Sequence, residues 1–290
     1  MKNYIADSEL ILNEDGSVFH LHLKPEQLAD KVILVGDPGR VGMIEKYLSD
    51  IECKGSNREF CFVTGHYDTK RVTVLSTGIG TDNIDIVLNE LDALANIDLN
   101  KRCVKDTHRS LTLVRIGTCG GLQPENPIDS FLVSEKSIGF DGLLNFYANR
   151  DVVSDLAFEE AFTDYVNWNP KHTRPYVVDA NAELVKQIAG NDMKLGVTIS
   201  APGFYGPQGR VLRLPLYDAD INDKITKFEF DGRKITNFEM ESSALAGLSL
   251  LLGHRAATVC QIIANRSLKQ YSQDYKKTME VLVQKVLQRI

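Results

Sequence analysis

The chain repeats a short apolar strand, a Gly-rich turn and a helix, and this succession constrains its fold more than any other feature. The predicted strands cover residues 32–35, 72–75, 111–116, 195–200, 235–238 and 256–264. The predicted helices cover residues 40–48, 82–95, 241–252 and 275–290. Alternating strands and helices predict an α/β fold, a three-layer α/β/α sandwich whose central mixed sheet is covered on both faces.

The chain has 290 residues, 43% of them hydrophobic, which is enough for one large core. It contains no Pro/Ser-rich linker and no repeat at solenoid spacing, so we expect a single domain over residues 1–290. Residues 96–110 and 140–171 are less regular and are predicted to form surface excursions or lids.

Charge and apolar run length exclude several classes of protein. The formal net charge is −6, which argues against binding along a nucleic-acid backbone. Residues 1–20 lack a signal-peptide pattern, and the longest apolar stretch, 244–253, is too short to span a bilayer. Five cysteines without a C-x-x-C pair favour reduced thiols. We therefore expect a cytoplasmic protein that binds neither nucleic acid nor membrane.

Two strand ends carry arginines that suit an anion. The first strand runs into Gly36-Asp37-Pro38-Gly39-Arg40, where backbone N–H groups, a helix start and Arg40 come together. A plain structural turn explains this segment equally well. Arg115 lies in an apolar strand immediately before Gly117-Thr118, and a buried arginine needs a partner. That partner is either an acidic side chain or a substrate phosphate, with Thr118 assisting.

Two further segments suggest a sugar and a planar base. Glu239-Met240-Glu241 lies where a strand gives way to a helix, so its carboxylates either complement the helix dipole or accept bonds from sugar hydroxyls. The loop Phe204-Tyr205-Gly206-Pro207-Gln208-Gly209-Arg210 is either a solvated loop or a base site. In a base site the aromatic ring stacks, while the amide and guanidinium read the base edge.

Together and in this order, these motifs resemble the nucleoside phosphorylase family, and within it the uridine phosphorylases. The resemblance runs from Phe19-His20-Leu21 to at least Asn265-Arg266. The matching stretches are Gly36-Asp37-Pro38-Gly39-Arg40-Val41, Arg58-Glu59-Phe60, Ser76-Thr77-Gly78-Ile79-Gly80, Arg115-Ile116-Gly117-Thr118, Phe204-Tyr205 with Gln208 and Arg210, and Glu239-Met240-Glu241-Ser242.

The resemblance implies a role for each residue of the site. The implied phosphate site is Gly36, Arg40, Arg115 and Thr118, with Arg58 lent by a neighbouring subunit. The implied ribose site is Met240 and Glu241, with His20 also lent across the interface. The implied base site is Phe204, Gln208, Arg210, Ile263 and Ala264, and the implied catalytic groups are Arg115, Glu241 and Arg210.

The resemblance also implies a reaction. Inorganic phosphate is the co-substrate and attacks the anomeric carbon through an oxocarbenium-like transition state, with no metal, organic cofactor or protein nucleophile. Purine members of the family typically carry Ser-Asp where this chain has Asn265-Arg266. This difference favours uridine, with cleavage to uracil and ribose 1-phosphate. The alternatives are a purine nucleoside phosphorylase, a nucleosidase that uses water, and a non-catalytic nucleoside-binding protein.

The chain departs from the family pattern at several places. Cys119-Gly120-Gly121 follows Thr118 in place of Thr-Gly-Ala. Glu59 matches a glutamate that helps bind interfacial potassium in bacterial uridine phosphorylases. Asn83 stands where their serine ligand would be, which argues against that ion here. The resemblance implies a homo-oligomer. Because residues 96–110 form a longer segment than in the compact bacterial enzymes, both a dimer and a hexamer of dimers stay open.

Overall fold

The strands and helices expected from the sequence are present, together with several more. A computed structural model describes residues 4–290, so the first three residues of the expected domain lie outside the described part. The strands are Lys31–Val35 (β1), Ser49–Asn57 (β2), Phe60–Tyr67 (β3), Lys70–Ser76 (β4), Ile97–Asp98 (β5), Cys103–Val104 (β6), Thr112–Gly121 (β7), Phe131–Gly139 (β8), Tyr176–Asp179 (β9), Lys194–Ser200 (β10), Glu229–Phe230 (β11), Arg233–Glu239 (β12), Arg255–Asn265 (β13) and Gln270–Tyr271 (β14). The α-helices are Pro38–Glu45 (α1), Thr81–Asn96 (α2), Arg150–Val153 (α3), Leu156–Val166 (α4), Ala182–Ala189 (α5), Ile221–Lys227 (α6), Ser242–Leu252 (α7) and Tyr275–Arg289 (α8). Short 3₁₀ turns cover Pro25–Gln27, Leu143–Phe146 and Gly206–Gln208.

The central sheet is mixed, as expected, and part of it closes on itself. Its strand order is β11-β12-β10-β8-β13-β7-β1-β4-β3-β2, and β1 pairs in parallel with both β4 and β7. In addition β12 pairs antiparallel with β7, at Phe238 opposite Gly120 and Asn237 opposite Gly121. Strands β7, β13, β8, β10 and β12 therefore form a closed ring at one end of the sheet.

Helices cover both faces of the sheet and complete the three layers. On one face α2 and α7 pack against the sheet, and the predicted apolar face of α2, from Ile84 to Leu94, is fully buried. On the other face α1, α5 and α8 pack through residues such as Met279 and Leu282. No helix within residues 4–290 has the length and apolar character needed to cross a bilayer.

Some predicted boundaries are wrong, and glycine explains the most important one. The strand expected to end at residue 116 continues as β7 to Gly121, because Gly120 and Gly121 have no side chains and β12 can pair against them. Arg115 therefore lies in the middle of a strand. The segment 96–110 forms the short β5–β6 hairpin, and 140–171 contains α4, so neither is irregular throughout.

Candidate active site

Most of the expected site residues meet in one cavity of about 850 Å³. The closed ring and its neighbouring strands bring the ends of β1, β4 and β12 beside the middle of β7. The cavity is lined by Gly36, Arg40, Arg115, Thr118, Phe204, Gln208, Arg210, Met240, Glu241, Ile263 and Ala264, all of them expected from the sequence. The two expected residues that do not line it are His20 and Arg58.

Two arginines share one end of the cavity. Arg40 lies on the first turn of α1, and its Nη1 is 3.5 Å from the carbonyl oxygen of Ile116. Burial, and then the charge of Arg115, lowers the pKa of Arg40. Two like charges held together away from water favour binding of an anion. The Gly39 N–H at the start of α1 is already bonded to the Asp37 carboxylate at 2.8 Å, so this donor is not free for an anion.

Arg115 has an acidic partner and also has free donors. It is 5% exposed, its Nη2 forms an ion pair with Glu241, and its Nη1 lies 3.6 Å from Glu239 Oε2. Burial opposes the charge of Arg115, but Glu241 and Glu239 raise its pKa. Its Nε and Nη1 have no hydrogen-bond partner among residues 4–290. The ion pair expected as one alternative is confirmed, and the unpartnered donors leave room for an anion.

Gly117 makes this position of Arg115 possible. A Cβ atom at residue 117 would overlap Nη1 of Arg115 and would lie 3.1 Å from Cys260 Sγ. Because the guanidinium folds back over the strand at this point, a side chain at residue 117 would displace it. Glycine at this position therefore lets the Arg115 guanidinium lie where it does.

Glu241 lies between the arginine end and the start of α2. It is 3% exposed, it precedes α7, and its Oε1 accepts the Gly80 N–H at 2.7 Å. Burial raises the pKa of Glu241, Arg115 opposes this rise and Glu239 adds to it. The carboxylate is therefore held beside the arginines, where a group bound in the cavity would meet it.

The other end of the cavity is built around Gln208. Its Oε1 accepts Arg210 Nη1 at 2.5 Å and Arg266 Nη2 at 3.4 Å, and its backbone carbonyl also accepts Arg266. The Arg210 guanidinium lies 3.8 Å above the Phe204 ring. Because the carbonyl oxygen of the amide is taken, Gln208 offers its two N–H donors to a ligand.

Arg266 is the member of this group whose contact with Gln208 sequence reasoning missed. Burial, followed by the charge of Arg210, lowers its pKa to about 10. The sequence analysis used Arg266 only because purine members of the family have aspartate at this position. Nothing in the local sequence indicates that Arg266, which follows β13, lies beside Gln208. Tyr271 of β14 and Cys119 also line the cavity and were not assigned to the site.

His20 and Arg58 lie outside the cavity of their own chain. His20 Nδ1 is 2.6 Å from Glu90 Oε1, and its backbone N–H also bonds to Glu90. Arg58 is exposed at the turn between β2 and β3, with a left-handed φ of 54°. Its neighbour Glu59 does line the cavity, as does Asn83. Within this turn Glu59 therefore lies at the edge of the cavity, and Arg58 lies outside it.

A separate group of possible metal ligands lies at the amino-terminal ends of β7 and β13. Ligand atoms of Asp92, His108 and His254 lie within 4.8 Å of one another. Nδ1 of His254 accepts the Leu111 N–H at 3.2 Å, which leaves the ring proton on Nε2, 3.2 Å from Asp92 Oδ1. A metal at Nε2 would have to displace that proton, so this group is an Asp–His contact.

The chain is similar to known enzymes over nearly its whole length. The family model described as the phosphorylase superfamily matches residues 30–290. Uridine phosphorylase of Escherichia coli is 30% identical over 260 residues, which cover 87% of this chain and 88% of that protein. Uridine phosphorylase of Haemophilus influenzae is 29% identical over 279 residues, which cover 93% and 96%.

A solved structure extends the similarity to the fold. A Trypanosoma brucei nucleoside phosphorylase that shows uridine phosphorylase activity is 28% identical and superposes with a TM-score of 0.88, covering 97% of this chain and 98% of that one. The family resemblance expected from the motifs and the expected mixed α/β sheet are both confirmed. The chain belongs to the phosphorylase superfamily, among the nucleoside phosphorylases of the uridine phosphorylase type.

Proposed function

We propose that this chain is a pentosyltransferase that cleaves uridine with inorganic phosphate, giving uracil and ribose 1-phosphate. The observation that carries the proposal is one cavity with an arginine pair at one end, a buried glutamate in the middle and an amide held by two arginines at the other. These three parts match in order the phosphate, ribose and base of the reacting complex.

At the phosphate end, the free Nε and Nη1 of Arg115 supply donors and Arg40 adds a second positive charge. Gly36 and Thr118 line the same end of the cavity. Two guanidinium groups hold the attacking oxygen in line with the bond that breaks, which accounts for much of the expected rate. The phosphate stays on the face of the sugar opposite the base.

In the middle, Glu241 accepts hydrogen bonds from the 2′ and 3′ hydroxyls, and Met240 packs against the ribose. The carboxylate and the phosphate oxygens place negative charge beside the sugar carbon as it becomes cationic. This charge is worth more in a buried cavity than in water. Neither a protein nucleophile nor an organic cofactor enters the proposal.

At the base end, the N–H donors of Gln208 face the uracil carbonyls, while Ile263 and Ala264 form the wall beside them. Arg210 and Arg266 stabilise the negative charge that builds on the departing uracil. One face of Phe204 is covered by Arg210, so this ring also orients the guanidinium. A base end with two arginines and no carboxylate favours a pyrimidine over a purine that must be protonated.

We further propose that a second copy of the chain lends His20 and Arg58 to each site. Both residues lie outside their own cavity, and no carboxylate within residues 4–290 forms an ion pair with the exposed Arg58. The proposed assembly is a dimer or a hexamer built of dimers. The five free cysteines fit a reducing compartment, and we propose the cytoplasm.

A panel of nucleosides with and without phosphate tests the function. We expect phosphate-dependent release of uracil from uridine and much slower cleavage of inosine. Cleavage of inosine alone would support the purine alternative and overturn the base assignment. Equal cleavage of uridine without phosphate would support a nucleosidase. Binding of uridine without turnover, even at high protein concentration, would indicate a binding protein.

A further inference from the structure

Glu239 and Glu241 are two residues apart, but their carboxylates have different surroundings. Glu239 Oε1 accepts the hydroxyls of Ser200 at 2.6 Å and Ser242 at 2.7 Å. Its Oε2 accepts the backbone N–H of Glu241 at 2.9 Å, and both oxygens lie 3.0 Å from the Ser242 N–H. The side chain is 2% exposed. Both glutamates line the cavity, but four donors surround Glu239, whereas Glu241 bonds to the Gly80 N–H and to Arg115.

These four donors fix Glu239 from three elements of the fold. Glu239 is the last residue of β12, Ser200 is the last residue of β10 and Ser242 is the first residue of α7. The hydroxyls of the two serines lie 3.0 Å apart. A buried donor that loses its acceptor destabilises the folded chain. Glu239 is therefore held in place and is not available to turn toward a substrate.

Glu239 also contacts both groups that the reaction needs beside each other. Two of its donors are N–H groups at the start of α7, so the carboxylate caps this helix and sets the backbone that carries Glu241. Its Oε2 lies 3.6 Å from Nη1 of Arg115. One carboxylate thus touches the backbone of the ribose-binding residue and the guanidinium of the phosphate-binding residue.

We propose that Glu239 is a positioning residue that holds Arg115 and Glu241 in the orientation in which they bind phosphate and ribose, without touching either substrate itself. This inference rests on the proposed function, because it assigns Glu239 a part in the same reaction. It also gives the two glutamates different roles: Glu241 binds the sugar, and Glu239 positions Glu241 and Arg115.

The charge of Glu239 gives the inference a signature that a purely structural role lacks. The charged groups that face Glu241 are Arg115 from β7 and Glu239 from β12, with Arg40 of α1 beside Arg115. Burial raises the pKa of Glu241, and Glu239 adds to the rise. Removing the charge of Glu239 therefore lowers the pKa of Glu241. The acid limb of the rate profile, where Glu241 loses its charge, then moves to lower pH.

The test compares Glu239→Gln with Glu239→Asp and with Glu159→Gln. Glu159 is equally buried and pairs with Arg150, but it lies outside the cavity, so its variant serves as the matched control. We expect Glu239→Gln to lower kcat/KM for uridine by roughly tenfold or more, with the acid limb at lower pH. Glu239→Asp keeps the charge and should leave the acid limb in place. Glu159→Gln should lower thermal stability only.

The inference about Glu239 and the proposed function can be overturned by separate results. Wild-type protein that releases no uracil from uridine would overturn both. An active wild type with a folded Glu239→Gln variant of unchanged kcat/KM, or with an unmoved acid limb, would overturn this inference alone. If Glu239→Gln does not fold, Ser200→Ala removes one donor and keeps the charge. A Ser200→Ala variant with full kcat/KM would then overturn the inference, and reduced kcat/KM with an unmoved acid limb would support it.

Discussion

Glu241 and an oxyanion bound in the cavity would compete for the N–H donors of Arg115. Its Nη2 is engaged by Glu241 in the structure described here, while its Nε and Nη1 are unpartnered. A bound oxyanion would attract the guanidinium and weaken its hold on Glu241. The carboxylate would then be free to accept the hydroxyls of a ribose. We therefore expect an anion bound beside Arg40 and Arg115 to favour binding of a ribose beside Glu241.

This coupling predicts that uridine binds about tenfold more tightly when a tetrahedral oxyanion is present. Sulfate is the suitable anion, because it resembles phosphate but supports no phosphorolysis. The measurement is the Kd of uridine by calorimetry, with sodium chloride at matched ionic strength as the control. Glu241→Gln should remove the effect, since the variant has no carboxylate to release. Equal Kd values with and without sulfate in the wild type would contradict the coupling.

Arg210 is the residue on which the base assignment depends most directly. We expect Arg210→Ala to weaken transition-state stabilisation for uridine by about 2–4 kcal/mol, because charge building on the departing uracil loses a cationic partner. The measurement is kcat/KM for uridine. Arg213→Ala is the matched control, since Arg213 is exposed on the same loop and does not line the cavity. Unchanged kinetics in Arg210→Ala would remove the argument for a pyrimidine.

Single residues could be predicted from the sequence where their type conflicted with their surroundings. Arg115 was predicted in this way, because a charged side chain inside an apolar strand needs a partner. For Arg40 the sequence left two interpretations, an anion site and a plain helix start. The contact of Arg266 with Gln208 could not be predicted, because it depends on how β13 and the loop before α6 approach each other. Neither segment encodes that distance.

At the scale of elements, β7 is the strand on which the site depends. It carries Arg115, Gly117, Thr118 and the two glycines against which β12 closes the ring. The sequence indicated a strand there but not its length, because a glycine run is also typical of a turn. The strand expected over 72–75 is present as β4, whereas the hairpin strands β2 and β3 were missed. Their alternation is interrupted by polar residues, and β2 is largely exposed.

The packing of β7 predicts the effect of a single added methyl group. We expect Gly117→Ala to lower the free energy of unfolding by about 1–3 kcal/mol, because the new atom overlaps Arg115 Nη1. It should also weaken phosphate binding, since the guanidinium must move. The measurements are thermal unfolding and the KM for phosphate. Gly42→Ala in α1 is the control, because a Cβ atom there meets no other atom within 4 Å.

Contrary results would be informative for the site. Gly117→Ala with wild-type stability and wild-type KM for phosphate would mean that Arg115 occupies another position in solution. Gly42→Ala should be neutral or slightly stabilising, because alanine is favoured over glycine inside a helix by roughly 0.5–1 kcal/mol. A similar loss of unfolding free energy in both variants would mean that the effect of Gly117→Ala does not depend on the overlap with Arg115.

At the scale of the whole molecule, the proposed site is divided between one cavity and two residues that lie outside it. The cavity holds Arg40, Arg115 and Glu241, whereas His20 and Arg58 lie outside it. The family resemblance implies that a neighbouring copy lends His20 and Arg58. In the described chain both residues lie outside the cavity. Arg58 is exposed at the β2–β3 turn, and His20 is held by the buried Glu90 of α2. If the proposed assembly forms, these two residues are the ones that a second copy must contact.

Shared sites predict that two inactive variants restore activity when mixed. Arg58→Ala leaves the cavity of its own chain intact, and Glu241→Gln leaves the Arg58 that it lends intact. In a mixed dimer, one site combines both intact parts and the other combines both defects. Statistical co-assembly by co-expression should therefore restore about a quarter of wild-type uridine cleavage, from two variants that are each nearly inactive.

The control for this experiment is a pair of variants that lie in the same cavity. Arg40→Ala and Glu241→Gln both damage the site of their own chain, so their mixture should stay as inactive as its parents. Recovery in this control pair would indicate exchange or contamination. Absence of recovery in the Arg58→Ala and Glu241→Gln mixture, or full activity of Arg58→Ala alone, would mean that each chain completes its own site. Either result would overturn the division of residues between copies, because Arg58 would then act within its own chain or have no part in the reaction.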